Sequence, residues 1–183
     1  SSSFLNTLNM NNLVANTTDE YEQIVIEFAN NNLCLIVGSA WDKEIEFSLK
    51  ISKKFPDLKL IIAPHNIEQG QLDYIRSHFN STFFWSEKDQ ATDISNKQTL
   101  VIDSFGLLSK IYRYGHIAFI GGGFGSGVHN TVEAAVYGLP VLFGPNYKRF
   151  KEINDLIATG GGFPVKDYQT FEKAITKLIE QSE

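Results

Sequence analysis

The chain has 183 residues, 43% hydrophobic and 20% charged, with a formal net charge of −5. That length and balance fit a soluble globular domain with a core of its own, and a net negative charge without a basic, aromatic-rich stripe argues against a nucleic-acid binder. Cys34 is the only cysteine, so there is no intrachain disulfide, and no apolar run reaches the ~18 residues of a membrane span, which makes a cytoplasmic setting the default.

Residues 1–18 are rich in Ser and Asn and open Ser1-Ser2-Ser3. They read as an interdomain linker or an expression-derived boundary, with the domain itself over 19–183. A helix is expected over 19–30. Short apolar runs then alternate with helical patterns. The runs 33–37, 58–63, 82–85, 99–102, 117–120 and 141–143 read as strands. Between and after them, helices are expected over 43–54, 68–79, 107–114, 131–137, 149–159 and 168–181. The strands are near-continuously apolar rather than alternating, as in a parallel sheet covered on both faces. Cys34 falls inside the first run and reads as an inert core residue. The fold class is α/β, a doubly wound Rossmann-like parallel sheet. In such sheets ligands sit outside the carboxyl ends of the strands.

The most informative strand end is Gly121-Gly122-Gly123-Phe124-Gly125-Ser126-Gly127-Val128-His129-Asn130-Thr131-Val132-Glu133. Glycines admit positive φ and close ligand approach, and a helix N-terminus just beyond favours an anion. The loop is no P-loop, because Val128-His129 stand where Lys-Ser/Thr would open the helix. It is no dinucleotide fingerprint either, because no register places glycines at i, i+2 and i+5. It reads as a phosphate-type loop of another kind.

The other strand ends leave alternatives open. Ser39 or Asp42 caps the helix after the first strand, or Gly38 and Ser39 face a ligand phosphate or sugar. His65 is a ligand contact or a turn residue. Asp103 or Ser104 caps a helix, or the backbone there meets a nucleobase edge. The helix 131–137 is expected to be buried, so its Glu133 needs partners. Those are the Asn130 backbone, in a capping box, or a pair of sugar hydroxyls. His129 donates to a phosphate oxygen or merely turns the chain. Lys148 and Arg149, read as opening the next helix, oppose its dipole. They face an anion, or are ordinary surface cations. No His, Cys or carboxylate set has metal-ligand spacing.

Taken together and in this order, the strand-end motifs resemble the C-terminal half of the 3-deoxy-D-manno-octulosonic acid (Kdo) transferases, a GT-B glycosyltransferase family of Gram-negative bacteria. The matching pieces are Gly38-Ser39-Ala40-Trp41, Ala63-Pro64-His65, residues 101–108, Gly121-Gly122-Gly123-Phe124, His129-Asn130-Thr131-Val132-Glu133-Ala134-Ala135, residues 138–141 and Gly144-Pro145-Asn146-Tyr147. The resemblance implies a donor-binding domain for CMP-Kdo. The intact enzyme would transfer Kdo, with inversion, to a lipid A precursor at the cytoplasmic face of the inner membrane. It implies donor contacts at Ser39, Trp41, His65, Ser104, Gly106, Leu107, Gly122, Gly123, Phe124, Gly125, His129, Asn130 and Glu133, with Lys148 and Arg149 as further anion contacts. No cofactor or metal is implied. The general base and the acceptor surface belong to an N-terminal domain, so this chain is expected to bind donor weakly and to transfer nothing alone. Ala40 and Asn66 depart from the family pattern. The competing readings are another GT-B domain, for a UDP-sugar transferase or epimerase, and a non-catalytic nucleotide-binding module.

Overall fold

The computed structural model describes residues 19–183; the linker reading of 1–18 lies outside them. All six expected strands are present: β1 Cys34–Ala40, β2 Lys59–Pro64, β3 Thr82–Phe84, β4 Thr99–Val101, β5 Ile117–Ile120 and β6 Val141–Phe143. A further strand, β7 Gly162–Pro164, carries no apolar run in the sequence and pairs with β6 at the sheet edge. Every pairing is parallel, and the order is β3-β4-β2-β1-β5-β6-β7.

The helices are α1 Glu20–Ala29, α2 Asp42–Lys54, α3 Gln69–His78, α4 Leu108–Ile111, α5 Val132–Ala135, α6 Lys151–Ala158 and α7 Tyr168–Ser182. They cover both faces. Leu35 and Val37 of β1 join Phe47, Ile51, Ile75, Phe171 and Ile175 on one side. The intervening Ile36 joins Val25, Phe28, Ile111, Ala134 and Ile153 on the other. Neighbouring strand residues point to opposite faces, so a continuous apolar run feeds both layers. Cys34 is buried within it, and desolvation pushes its thiol up to about 12, as an inert core cysteine requires.

Three expectations about helices need correction. The segment expected as a buried helix over 131–137 is a single turn, α5. Val132, Val136 and Tyr137 are exposed, and only Thr131 and Ala134 are buried. Gly138, at φ +72, and Pro140 halt it before a second turn can form. Helix α6 starts at Lys151, so Lys148 and Arg149 lie in the turn before it. Neither Ser39 nor Asp42 caps α2. Trp41 is its N-cap, and the Asp42 carboxylate instead accepts from Gln71 Nε2 at 3.1 Å.

Candidate functional site

The chain runs outward from β1 to β2 and β3, then returns to the other side of β1 with β5. The strand order therefore reverses between β1 and β5, which opens a crevice at their carboxyl ends. Two loops flank it, Ser39–Trp41 and Gly121–Asn130. Ser39 takes a left-handed conformation at φ 50, uncommon for a residue with a Cβ and typical of functional strand ends.

The glycine loop is folded on itself. Gly122 O accepts from the N–H groups of Gly125 and Gly127, both at 3.0 Å, and Gly121 O accepts from His129 N at 3.0 Å. Its neighbour after β6 laces it down: Asn146 N donates to Gly123 O at 2.8 Å, and Asn146 Nδ2 to Gly125 O at 2.7 Å. Gly122, at φ +95, has the Gly127 carbonyl and the His129 ring where a side chain would go. Gly123 packs backbone against backbone on Gly144, with 2.5 Å between an added Cβ and Gly144 N. Both are buried, and Phe124 turns into the core, edge-on to Phe47 at 5.3 Å. These two glycines serve the packing of two loops. The loop surface open to the crevice is Gly125–Ser126.

Beneath the loop lies a carboxylate. Glu44, in the first turn of α2, is fully buried, and its Oε2 accepts from Trp41 N at 3.0 Å. Desolvation raises its pKa to about 7, against the opposing pull of the Trp41, Glu44 and Gly122 backbone N–H groups. Oε1 has no hydrogen-bond partner among the described residues.

Three aromatic rings close the other side. Trp41 Nε1 donates to His129 Nε2 at 3.0 Å, and the two rings are nearly coplanar at 10°. His65 stacks across both, with centroids 4.2 Å from Trp41 and 4.4 Å from His129. The indole N–H can only donate, so a neutral His129 carries its proton on Nδ1. Desolvation, and then the neighbouring His65, lower its pKa and favour that neutral form. A cavity of about 660 Å³ opens beside this stack, lined in part by Asp42, Glu46 and Glu68. Its carboxylates repel anions. A smaller hollow of about 220 Å³ lies between the start of α2 and Gly122, Gly125 and Ser126.

The capping box expected between Asn130 and Glu133 does not form. Asn130 Oδ1 accepts from Val132 N at 2.9 Å, a local turn, and Thr131 is the N-cap. Glu133 is half-buried and makes no hydrogen bond or ion pair among the described residues. Its charge, after desolvation, contributes to raising the pKa of Tyr112, whose hydroxyl lies over Gly38 at the end of β1. After β4, Asp103 accepts from Ser86 N at 2.8 Å and Ser86 Oγ at 2.5 Å rather than capping α4. Leu107 is that N-cap, and Ser104 Oγ is buried without a hydrogen-bond partner among the described residues. Gly106 and Leu107 complete the loop. Arg149 reaches back to the Ser126 carbonyl, while Lys148 is exposed. Among the described residues no group of three or more His, Cys, Asp or Glu is arranged to hold a metal.

No family model matches the chain. The 3-deoxy-D-manno-octulosonic acid transferase of Aquifex aeolicus (strain VF5) is 30% identical over 154 residues, 79% of this chain and 41% of that protein. That of Chlamydophila psittaci (strain ATCC VR-125 / 6BC) is 27% identical over 176 residues, 93% of this chain and 40% of that protein. The chain is a relative of the Kdo transferases. It spans about two fifths of the length of these two curated relatives. Its fold is that of the C-terminal CMP-Kdo binding domain of WaaA from Acinetobacter baumannii, with a TM-score of 0.71 at 20% identity over 88% of this chain and 92% of that one. The fold is thus α/β and Rossmann-like, a seven-stranded all-parallel sheet with helices on both faces.

Seen as a relative of the Kdo transferases, the chain brings Ser39, Trp41, His65, Gly125, His129, Asn130 and Glu133 to the β1 and β5 ends of the crevice. Ser104, Gly106 and Leu107 stand two strands from β1, at the end of β4. Glu44 is the member that the sequence reading missed. Its signal was a glutamate three residues after an N-cap position and on the same helix face as Ile45, Ser48, Leu49 and Ser52, all buried.

Proposed function

We propose that this chain is the donor-binding domain of a Kdo transferase. It would hold CMP-Kdo at the β1–β5 crevice while a further domain presents a lipid A precursor and the general base at the cytoplasmic face of the inner membrane. Transfer proceeds with inversion, and the chain alone transfers nothing. The observation that carries the reading is the Glu133 carboxylate, half-buried in the turn of helix that directly follows the glycine loop, with no hydrogen bond or ion pair among the described residues. A carboxylate so placed suits a pair of ribose hydroxyls. The relationship to Kdo transferases supplies the donor.

In this reading the chain's contribution to the reaction is electrostatic. The backbone N–H of Ser126, the Nδ1–H of His129 and the cations Lys148 and Arg149 stabilise the phosphate of CMP as it departs. None of these groups needs to move a proton. Among the described residues no helix is long and apolar enough to cross a membrane.

The test is calorimetric titration of the chain with CMP, with UDP as competitor class. Glu133→Ala should raise the CMP Kd at least about tenfold, as for loss of a hydrogen bond to a charged group, with Tm unchanged. A lower Tm at unaltered CMP affinity would make Glu133 a structural residue. Clearly tighter UDP binding would assign the site to a different sugar nucleotide.

A further inference from the structure

Trp41 and His129 stand 88 positions apart in the chain, and one hydrogen bond joins their side chains, the indole Nε1 donating to the imidazole Nε2 at 3.0 Å. An indole N–H can only donate, so the bond admits a single neutral imidazole, the one with its proton on Nδ1. The ring is fixed from a second side as well. Its Cδ2–Nε2 edge lies against buried Gly122, 2.9 and 3.1 Å from where a Cβ of that residue would stand. Nδ1 is the ring atom opposite that edge. It therefore points away from Gly122, and it makes no hydrogen bond among the described residues. His65 lies across both rings, with centroids 4.2 Å from Trp41 and 4.4 Å from His129. The indole thus has one face covered and its only polar group already used.

We propose that Trp41 is a positioning residue: its indole N–H sets the tautomer of His129, so that the unused Nδ1–H is presented to the phosphate of the ligand. The inference rests on the nucleotide-binding reading above. The resemblance to the Kdo transferases implies Trp41 as a direct donor contact, whereas this geometry gives it a role one step removed. Without the indole N–H, the imidazole proton distributes over both nitrogens. The Nε2–H form turns the bare Nδ1 lone pair toward the anion and repels it. Only the fraction of molecules still in the Nδ1–H form then binds well, and the apparent Kd rises by the reciprocal of that fraction.

The experiment uses the full chain with 15N-labelled histidine at pH 8. There the ring is neutral, because burial, and then His65, hold the His129 pKa below its ordinary value. The 15N shifts of His129 report its tautomer, and calorimetry with CMP gives Kd. The parent should show Nδ1–H alone. Trp41→Phe keeps a ring for His65 to stack on and removes only the donor. It should show a mixture of both tautomers and a CMP Kd raised about twofold to fivefold, matching the reciprocal of the measured Nδ1–H fraction. In a His129→Ala background Trp41→Phe should change nothing further, since a positioning residue acts only through its partner. An equal loss in both backgrounds would make Trp41 a direct contact or a purely structural residue, and a mixture of tautomers with unaltered CMP affinity would sink the role of Nδ1–H. The unliganded parent is already a test, because an Nε2–H signal for His129 there overturns the inference whatever the variants do. If the parent shows Nδ1–H but binds no CMP, the nucleotide reading falls, and this inference with it.

Discussion

A buried glutamate beneath a glycine loop has a stability signature that its neighbours lack. The Glu44 pKa stands at about 7 in the folded chain against an ordinary 4.5. The folded state thus keeps a proton that the unfolded chain has already released. Its contribution is full below pH 4.5 and is lost as pH rises through 7. Glutamine imitates the protonated acid and cannot ionise. Glu44→Gln should match the parent near pH 4 and exceed it above pH 7, by about 3 kcal/mol at 1.4 kcal/mol per pH unit of the interval. Denaturant melts at pH 4.5, 6 and 8 read this directly. A difference that stays constant with pH would show that Glu44 is charged throughout and that its N–H partners outweigh desolvation.

At the scale of elements, the glycine loop and the β6-end loop form one unit, and the two kinds of glycine in it can be told apart. An added Cβ at Gly123 meets the Gly144 backbone at 2.5–2.9 Å, and backbone cannot rotate away, whereas at Gly125 it would meet Gly122 O at 3.8 Å, an ordinary van der Waals contact. Gly123→Ala should cost about 2 kcal/mol, the range for overpacking, and Gly125→Ala should fall within about 0.5 kcal/mol of the parent. Equal Tm values for the two variants would mean that the loops are not packed as described. The same pair shows what the sequence could tell. Strands β1 to β6 and the helical pattern between them were legible, because each is written in a local apolar run or a 3.6-residue repeat. The loop's richness in glycine was legible too, but not the reason for it, since the partner of Gly123 lies 21 positions away at Gly144. The same holds for the Trp41–His65–His129 stack, whose rings were singled out one by one while their hydrogen bond and stacking exist only in three dimensions. β7 was missed because Gly162-Phe163-Pro164 is short, has a single buried residue and sits on an edge where Pro is tolerated. The length and burial of the helix that carries Glu133 were misjudged because it stops after one turn, at a glycine whose conformation outweighed the apolar character of 131–137.

At the scale of the whole molecule, the crevice is assembled from segments that belong to different halves of the sheet. The β2 and β4 loops lie on one side of β1, and the β5 and β6 loops on the other. A ligand gripping both halves binds only the folded state, so it must raise the stability of the entire domain rather than of one loop. At ten times its Kd, CMP should add about 1.4 kcal/mol by that linkage, which for a domain of this size is a Tm rise of roughly 3–6 °C. Phosphate and ribose are common to CMP and UMP, so any difference between their shifts at equal concentration reports the base alone, and the β4 loop with it. The expected order is CMP above UMP, with ribose 5-phosphate below both. A shift for ribose 5-phosphate as large as that for CMP would confine binding to the β1 and β5 loops. A UDP shift larger than that of CMP would mean that the glycine loop is built for a diphosphate, and the assignment to a CMP-sugar would be lost.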